Sequence, residues 1–139
     1  HAAHRWLGYR DHNDQHHRSD VLRQARVLGV CGLAQPDTFE QTLREEVQMV
    51  KRSIVLADHH QYTRDQVWRI LEEAHAIGCD AAVTSEKDWV KWRSFLKQGS
   101  LPLPVFRPVL RLVLLDGQDA LDALLRQCVR QRNGLSLTS

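Results

Sequence analysis

The sequence predicts an α/β domain, with a mainly parallel sheet of about four strands and helices packed on it in three α/β/α layers. Short apolar runs rich in Val, Leu and Ile recur at 26–31, 49–57, 81–84 and 105–115. Between them lie stretches whose apolar residues fall three and four apart, the period of amphipathic helices. Alternation of this kind is that of parallel strands joined by crossover helices. At 139 residues, 42% hydrophobic and 26% charged, the chain fits one globular domain that can bury a core without staples.

Residues 1–20 are unlike the rest. They hold five of the eight His residues and show no apolar period, so they read as a loosely ordered leader or connector ahead of a domain spanning 21–139. His12 and His16, four apart, could share a helical face, but a zinc site needs two more ligands, and Asp11 and Asp14 are weak candidates. Arg26 to Cys31 is the first strand, stopped by Gly32. Pro36-Asp37 opens a helix with Phe39, Leu43 and Val47 on one face. Met49 to Ala57 is the second strand. Thr63 to Gln66 (TRDQ) matches a capping box, ahead of a stripe of Val67, Ile70, Leu71, Ala74 and Ile77, with Gly78 placed to stop the helix. Ala81 to Thr84 is the third strand. Ser85 to Asp88 (SEKD) caps a helix carrying Trp89, Val90, Trp92, Phe95 and Leu96, with both Trp residues assigned to the core. Pro102 and Pro104 break the chain before a strand over Val105 to Leu115. Asp116-Gly117 turns it into a last helix with Ala120, Leu121, Leu124, Leu125, Cys128 and Val129, followed by a polar tail from Gly134.

Composition narrows the function classes. A net charge of +2 makes no case for a nucleic-acid partner. Cys31, Cys79 and Cys128 are odd in number and far apart, which fits reduced thiols rather than a disulfide framework or zinc knuckle. No apolar run approaches the roughly 18 residues of a membrane span, and no signal peptide is visible. The first residue is His rather than Met, as in a fragment or a processed product. The motifs G-x-x-x-x-G-K-[ST], G-x-G-x-x-G and G-x-S-x-G are all absent.

Three polar turns fall at the carboxyl ends of strands and at helix N-termini: GLAQPD, DHHQYT and TSEKD. Ligands of parallel sheets gather there, and helix N-termini favour anions. Asp58-His59 could set an imidazole tautomer, raise its basicity or join a metal site. The same residues also read as a polar turn in which Asp58 caps backbone N–H groups. Lys87 could meet a phosphate as a point charge, with Ser85 donating to a ligand oxygen, or the segment could be a plain helix cap. Tyr62 could stack on a ligand or close its turn. No metal ligands are assigned.

Taken together, VLGVCGLAQPDTFEQTL, VLADHHQYTRDQV and AAVTSEKDWVK resemble the C-terminal half of the tetraacyldisaccharide 4'-kinase family, the lipid A 4'-kinases of Gram-negative bacteria. Three motifs in the right order cover roughly residues 25–125. The resemblance implies ATP-dependent transfer to the 4'-hydroxyl of tetraacyldisaccharide 1-phosphate, a lipid A precursor, by a peripheral enzyme on the cytoplasmic face of the inner membrane. It implies that ATP and Mg²⁺ are held mainly by a larger N-terminal domain, in cis or trans, which carries the phosphate loop and a catalytic Asp. His59 would work with that Asp, Asp58 would order the loop, and Ser85, Glu86, Lys87 and Asp88 would lie on the nucleotide side. His60 matches no demand of the family pattern. With the phosphate loop outside these residues, the isolated chain is expected to be inactive. Two rivals are a DHH-type metal-dependent phosphoesterase and a non-catalytic binding module of the same fold.

Overall fold

The alternation of side chains along one strand explains the layers. In β3 (Arg26–Cys31), Val27 and Cys31 face one side of the sheet and Leu28 and Val30 the other. The first side packs against Phe39 and Leu43 of α1 (Pro36–Glu46). The second packs against Val67, Ile70, Leu71 and Ala74 of α2 (Arg64–Ala76), and against Trp89 and Trp92 of α3 (Glu86–Trp92). The sheet is thus the middle of three layers. These relations come from a computed structural model that describes residues 2–97 and 100–114. The expected turn at Asp116-Gly117, the last helix with Cys128, and the tail from Gly134 lie outside the described residues.

The sheet has six strands in the order β2-β1-β6-β5-β3-β4, where β4 is Met49–Val55, β5 Ala81–Thr84 and β6 Val105–Leu114. Strands β3 to β6 form the expected parallel set. The two extra strands, β1 (Ala2–Asp11) and β2 (His16–Arg18), are antiparallel and come from the segment read as a loose leader. A register shift between Trp6 and Gly8 hid β1 in the sequence. A bulge there lets Trp6 and Tyr9, three apart, enter the same core cluster, so period-two alternation is lost. His12 and His16 do not share a helix. His12 accepts from the Val105 backbone N–H at 3.3 Å, and His16 lies in β2. Among the described residues no cluster of three His, Cys, Asp or Glu could hold a metal ion.

The helix ends follow the sequence signals. The Thr63 hydroxyl accepts from the Gln66 N–H at 3.1 Å, which satisfies one of the four orphan donors of α2. At the other end Gly78 takes φ +90. The Gly78 N–H reaches the His75 carbonyl and the Cys79 N–H the Ala74 carbonyl. That paired pattern is a Schellman stop, which needs a residue tolerant of the left-handed region.

Candidate functional site

Strand order places the site. From β3 the chain moves through α1 to its outer neighbour β4. From β4 it returns through α2 past β3 to β5, and α3 carries it on to β6. Crossovers of one hand that run in opposite directions put their helices on opposite faces, as observed. The direction reverses between β3 and β5, and the crevice beyond the carboxyl ends at such a switch point is where open α/β sheets bind ligands. A cleft of about 400 Å³ opens there. Leu33, Gln35 and Phe39 form one wall, Ser85, Glu86 and Lys87 another, and Trp6, Pro108 and Leu110 the side toward β1 and β6.

The DHH turn stands at the end of β4. The His60 N–H donates to the Ala57 carbonyl at 3.0 Å, which closes a four-residue turn over Ala57–His60. His59 takes φ +65 at its third position while Asp58 does not share that sign, the pattern of a type II turn. Glycine or asparagine is the usual choice there, and a histidine costs about 1 kcal/mol of backbone strain. The turn leaves the His59 side chain 77% exposed, with Nε2 at 3.5 Å from the Asp58 carboxylate. Lys87 donates to the other Asp58 oxygen. That ammonium holds the Asp58 carboxyl below the usual carboxylate range, and His59 adds to the effect. His60 is engaged elsewhere. Its ring nitrogen pairs with the Gln66 amide oxygen at 2.9 Å, and its ring meets Tyr62 edge to face.

One helix holds this turn. Lys87, Asp88 and Lys91 fall on one face of α3, by the i, i+1, i+4 geometry of a helix. Lys87 takes the Asp58 carboxylate, Lys91 donates to the His60 carbonyl at 2.9 Å, and Asp88 accepts from Tyr62 Oη at 2.9 Å. The other Asp88 oxygen accepts from the Gly32 N–H at 3.0 Å and from Ser85 Oγ at 2.5 Å. Ser85 also caps α3 by accepting from the Asp88 N–H. Burial, with Asp88 close by, pushes the Tyr62 phenol well above its ordinary value. Burial likewise lifts the Cys31 thiol to about 11, so it is not poised as a nucleophile.

The structure therefore brings Asp58, His59, Ser85, Lys87 and Asp88 together at the carboxyl edge of the sheet, beyond β4 and β5, but in different roles. Asp58 and His59 are solvent-facing. Ser85, Glu86 and Lys87 line the cleft, with Glu86 also paired to Arg107 Nε. Asp88 is only 1% exposed and does not line the cleft. The sequence reading gave Lys91 no role and took Gly32 only as the end of a strand, although the four-residue spacing of Lys87 and Lys91 was a readable sign of a shared face.

A family model described as Tetraacyldisaccharide-1-P 4'-kinase matches residues 2–130. The tetraacyldisaccharide 4'-kinase of Anaeromyxobacter sp. (strain K) is 36% identical over 107 residues, 76% of this chain and 28% of its own length. That of Koribacter versatilis (strain Ellin345) is 29% identical over 114 residues, 82% of this chain and 34% of its own. That of Bdellovibrio bacteriovorus is 35% identical over 82 residues, 59% of this chain and 24% of its own. A solved structure of "apo" form LpxK from Aquifex aeolicus in complex with ATP covers 90% of this chain and 35% of its own, with TM-score 0.48 and 17% identity. The chain thus spans at most about a third of the length of these relatives.

Proposed function

The chain belongs to the tetraacyldisaccharide-1-P 4'-kinase family, and from that premise we propose that it supplies the histidine-bearing half of a lipid 4'-kinase site. The substrate would be tetraacyldisaccharide 1-phosphate, and the phosphoryl donor ATP. One observation carries the reading. His59 is held in a strained conformation at a strand end, exposed, with a carboxylate beside it and a lysine fixing that carboxylate. Strain of this kind persists where the surroundings over-determine it, and it gathers at functional turns.

In this reading His59, oriented by Asp58, takes part in removing the proton of the acceptor hydroxyl together with a carboxylate from outside these residues. Phosphoryl transfer asks little covalent chemistry of the protein and much positioning. Among the described residues no group of three His, Cys, Asp or Glu side chains could hold a metal ion, so these residues supply no all-protein metal cage. As the resemblance to the kinase family implies, we assign Mg²⁺ and the nucleotide phosphates to a phosphate-loop domain of the intact enzyme. Among the described residues no helix is long and apolar enough to cross a membrane. Action at the cytoplasmic face of the inner membrane is proposed as peripheral attachment, on the acylated substrate named by the family.

The test uses ATP, Mg²⁺ and tetraacyldisaccharide 1-phosphate. The 139-residue chain alone should show no lipid-dependent turnover. In the intact enzyme that carries it, His59→Gly should lower kcat about 10²- to 10⁴-fold, the usual worth of a positioned base. The same change should leave the fold slightly more stable, because it relieves the positive φ. Full activity in His59→Gly would sink the reading, as would robust turnover by the chain alone.

A further inference from the structure

We propose that Asp88 is a positioning residue for the His59 turn, acting through Tyr62 and Gly32 rather than on substrate, nucleotide or metal. The inference rests on the role given to His59 above. It follows from what surrounds the carboxylate. Donors from all three polar turns converge on it: the Gly32 N–H after β3, Tyr62 Oη after β4, and Ser85 Oγ after β5. These groups are 56, 26 and 3 residues away in sequence, so the carboxylate ties together loops that nothing local would align.

The tie reaches the turn by two routes. Tyr62 Oη fixes the tyrosine ring, and that ring meets His60 edge to face with centroids 4.8 Å apart. Gly32 gives the second route. A Cβ there would lie 3.1 Å from the Ala57 carbonyl and 3.2 Å from Asp88. The backbone at Gly32 thus fills the gap between Asp88 and the first residue of the turn. Asp88 does not line the cleft, and its two oxygens are occupied by buried donors. A direct ligand of nucleotide or metal would need an oxygen facing outward.

Two variants separate positioning from direct contact, with Asp88→Ala as the reference. Tyr62→Phe removes one hydroxyl and keeps the ring. Asp88→Asn keeps the shape; its amide oxygen can still accept from Gly32 and Ser85, while its NH₂ donates to a rotated Tyr62 hydroxyl. In the intact enzyme, Tyr62→Phe should lower kcat about tenfold with KM for ATP unchanged, since misplacing a reacting group is felt in the chemical step. Asp88→Asn should recover at least about tenfold over Asp88→Ala, because the hydrogen-bond geometry and not the charge is what is used. By NMR on the 139-residue chain, amides of residues 58–60 should exchange about tenfold faster in Tyr62→Phe, with β3 and β5 unchanged, the mark of local opening.

An Asp88→Asn variant as damaged as Asp88→Ala would overturn the proposal in favour of a direct role for the charge. So would turn amides unchanged in Tyr62→Phe. If Asp88→Ala does not fold, Tyr62→Phe decides alone. If His59→Gly stays active, the functional reading fails, and the exchange measurement still decides whether Asp88 positions the turn.

Discussion

Two buried ionisable side chains sit at α3, Asp88 on the side of the DHH turn and Arg107 on the side of the β1–β2 hairpin, and they are satisfied in opposite ways. Arg107, on β6, stacks over the Trp89 ring at 5.1 Å and donates to the Asp11 backbone carbonyl at 3.1 Å. Its charge partners are the carboxylates of Glu86 and Asp14, whose side chains are 58% and 72% exposed. Asp88 has only neutral donors, and the residues that supply them are buried. The hairpin side is therefore a buried cation answered by acids that water can reach. The turn side is a buried acceptor answered by the dipoles of largely buried residues.

That contrast ranks the two truncations. Asp88→Ala leaves the Gly32 N–H and the Tyr62 and Ser85 hydroxyls without an acceptor. At about 1–3 kcal/mol for each stranded buried donor, partly relieved by rearrangement, the loss should be about 3–5 kcal/mol. Arg107→Met removes as many heavy atoms and costs less. Its two acids return to solvent, methionine keeps contact with Trp89, and the loss should be about 1–2 kcal/mol. Urea unfolding of the 139-residue chain measures both. Equal losses would break the comparison, because they would mean that partner exposure does not set the cost.

The same contrast explains what could be read from the sequence. The four parallel strands and three described helices were legible because apolar period and capping residues coincide, as at Thr63, Ser85 and Gly78. The site turns were legible by position, since each follows a strand and opens a helix. The direction in which each acid faces was not. Asp58 and Asp88 both read as polar residues at a helix start, yet one faces solvent and the other is buried, and only long-range packing against Gly32 and Tyr62 decides it. Strand β1 stayed hidden because its bulge breaks the alternation. Arg107 was visible as a charge inside the apolar run VFRPVLRLVLL, but its acids lie 21 and 93 residues away.

The smallest expected effect isolates the hairpin side without touching Asp88. The Asp11 carboxyl accepts from the Asn13 N–H at 2.8 Å and the Gln15 N–H at 3.0 Å, and it pairs with His17 Nε2 at 2.7 Å. Burial alone would raise its pKa. The bond to His17 and the two backbone bonds outweigh burial and leave it below the ordinary value of 3.8. A depressed carboxyl stabilises the fold above its unfolded pKa, and that stabilisation is lost as pH falls through the folded value. Acidification below about pH 4 should therefore loosen the 11–17 turn first. Because the Asp11 carbonyl is also an Arg107 acceptor, β6 contacts should follow. Amide exchange across a pH series should show the hairpin losing protection before α2 does. In Asp11→Asn the Asp11 part of that acid step should vanish, leaving a hairpin that is weaker at neutral pH and less sensitive to acid below about pH 4. Loss of protection at the Ala57–His60 turn over the same range would show instead that the two networks are coupled through α3, and the ranking of Asp88 over Arg107 would then need both variants in one molecule to resolve.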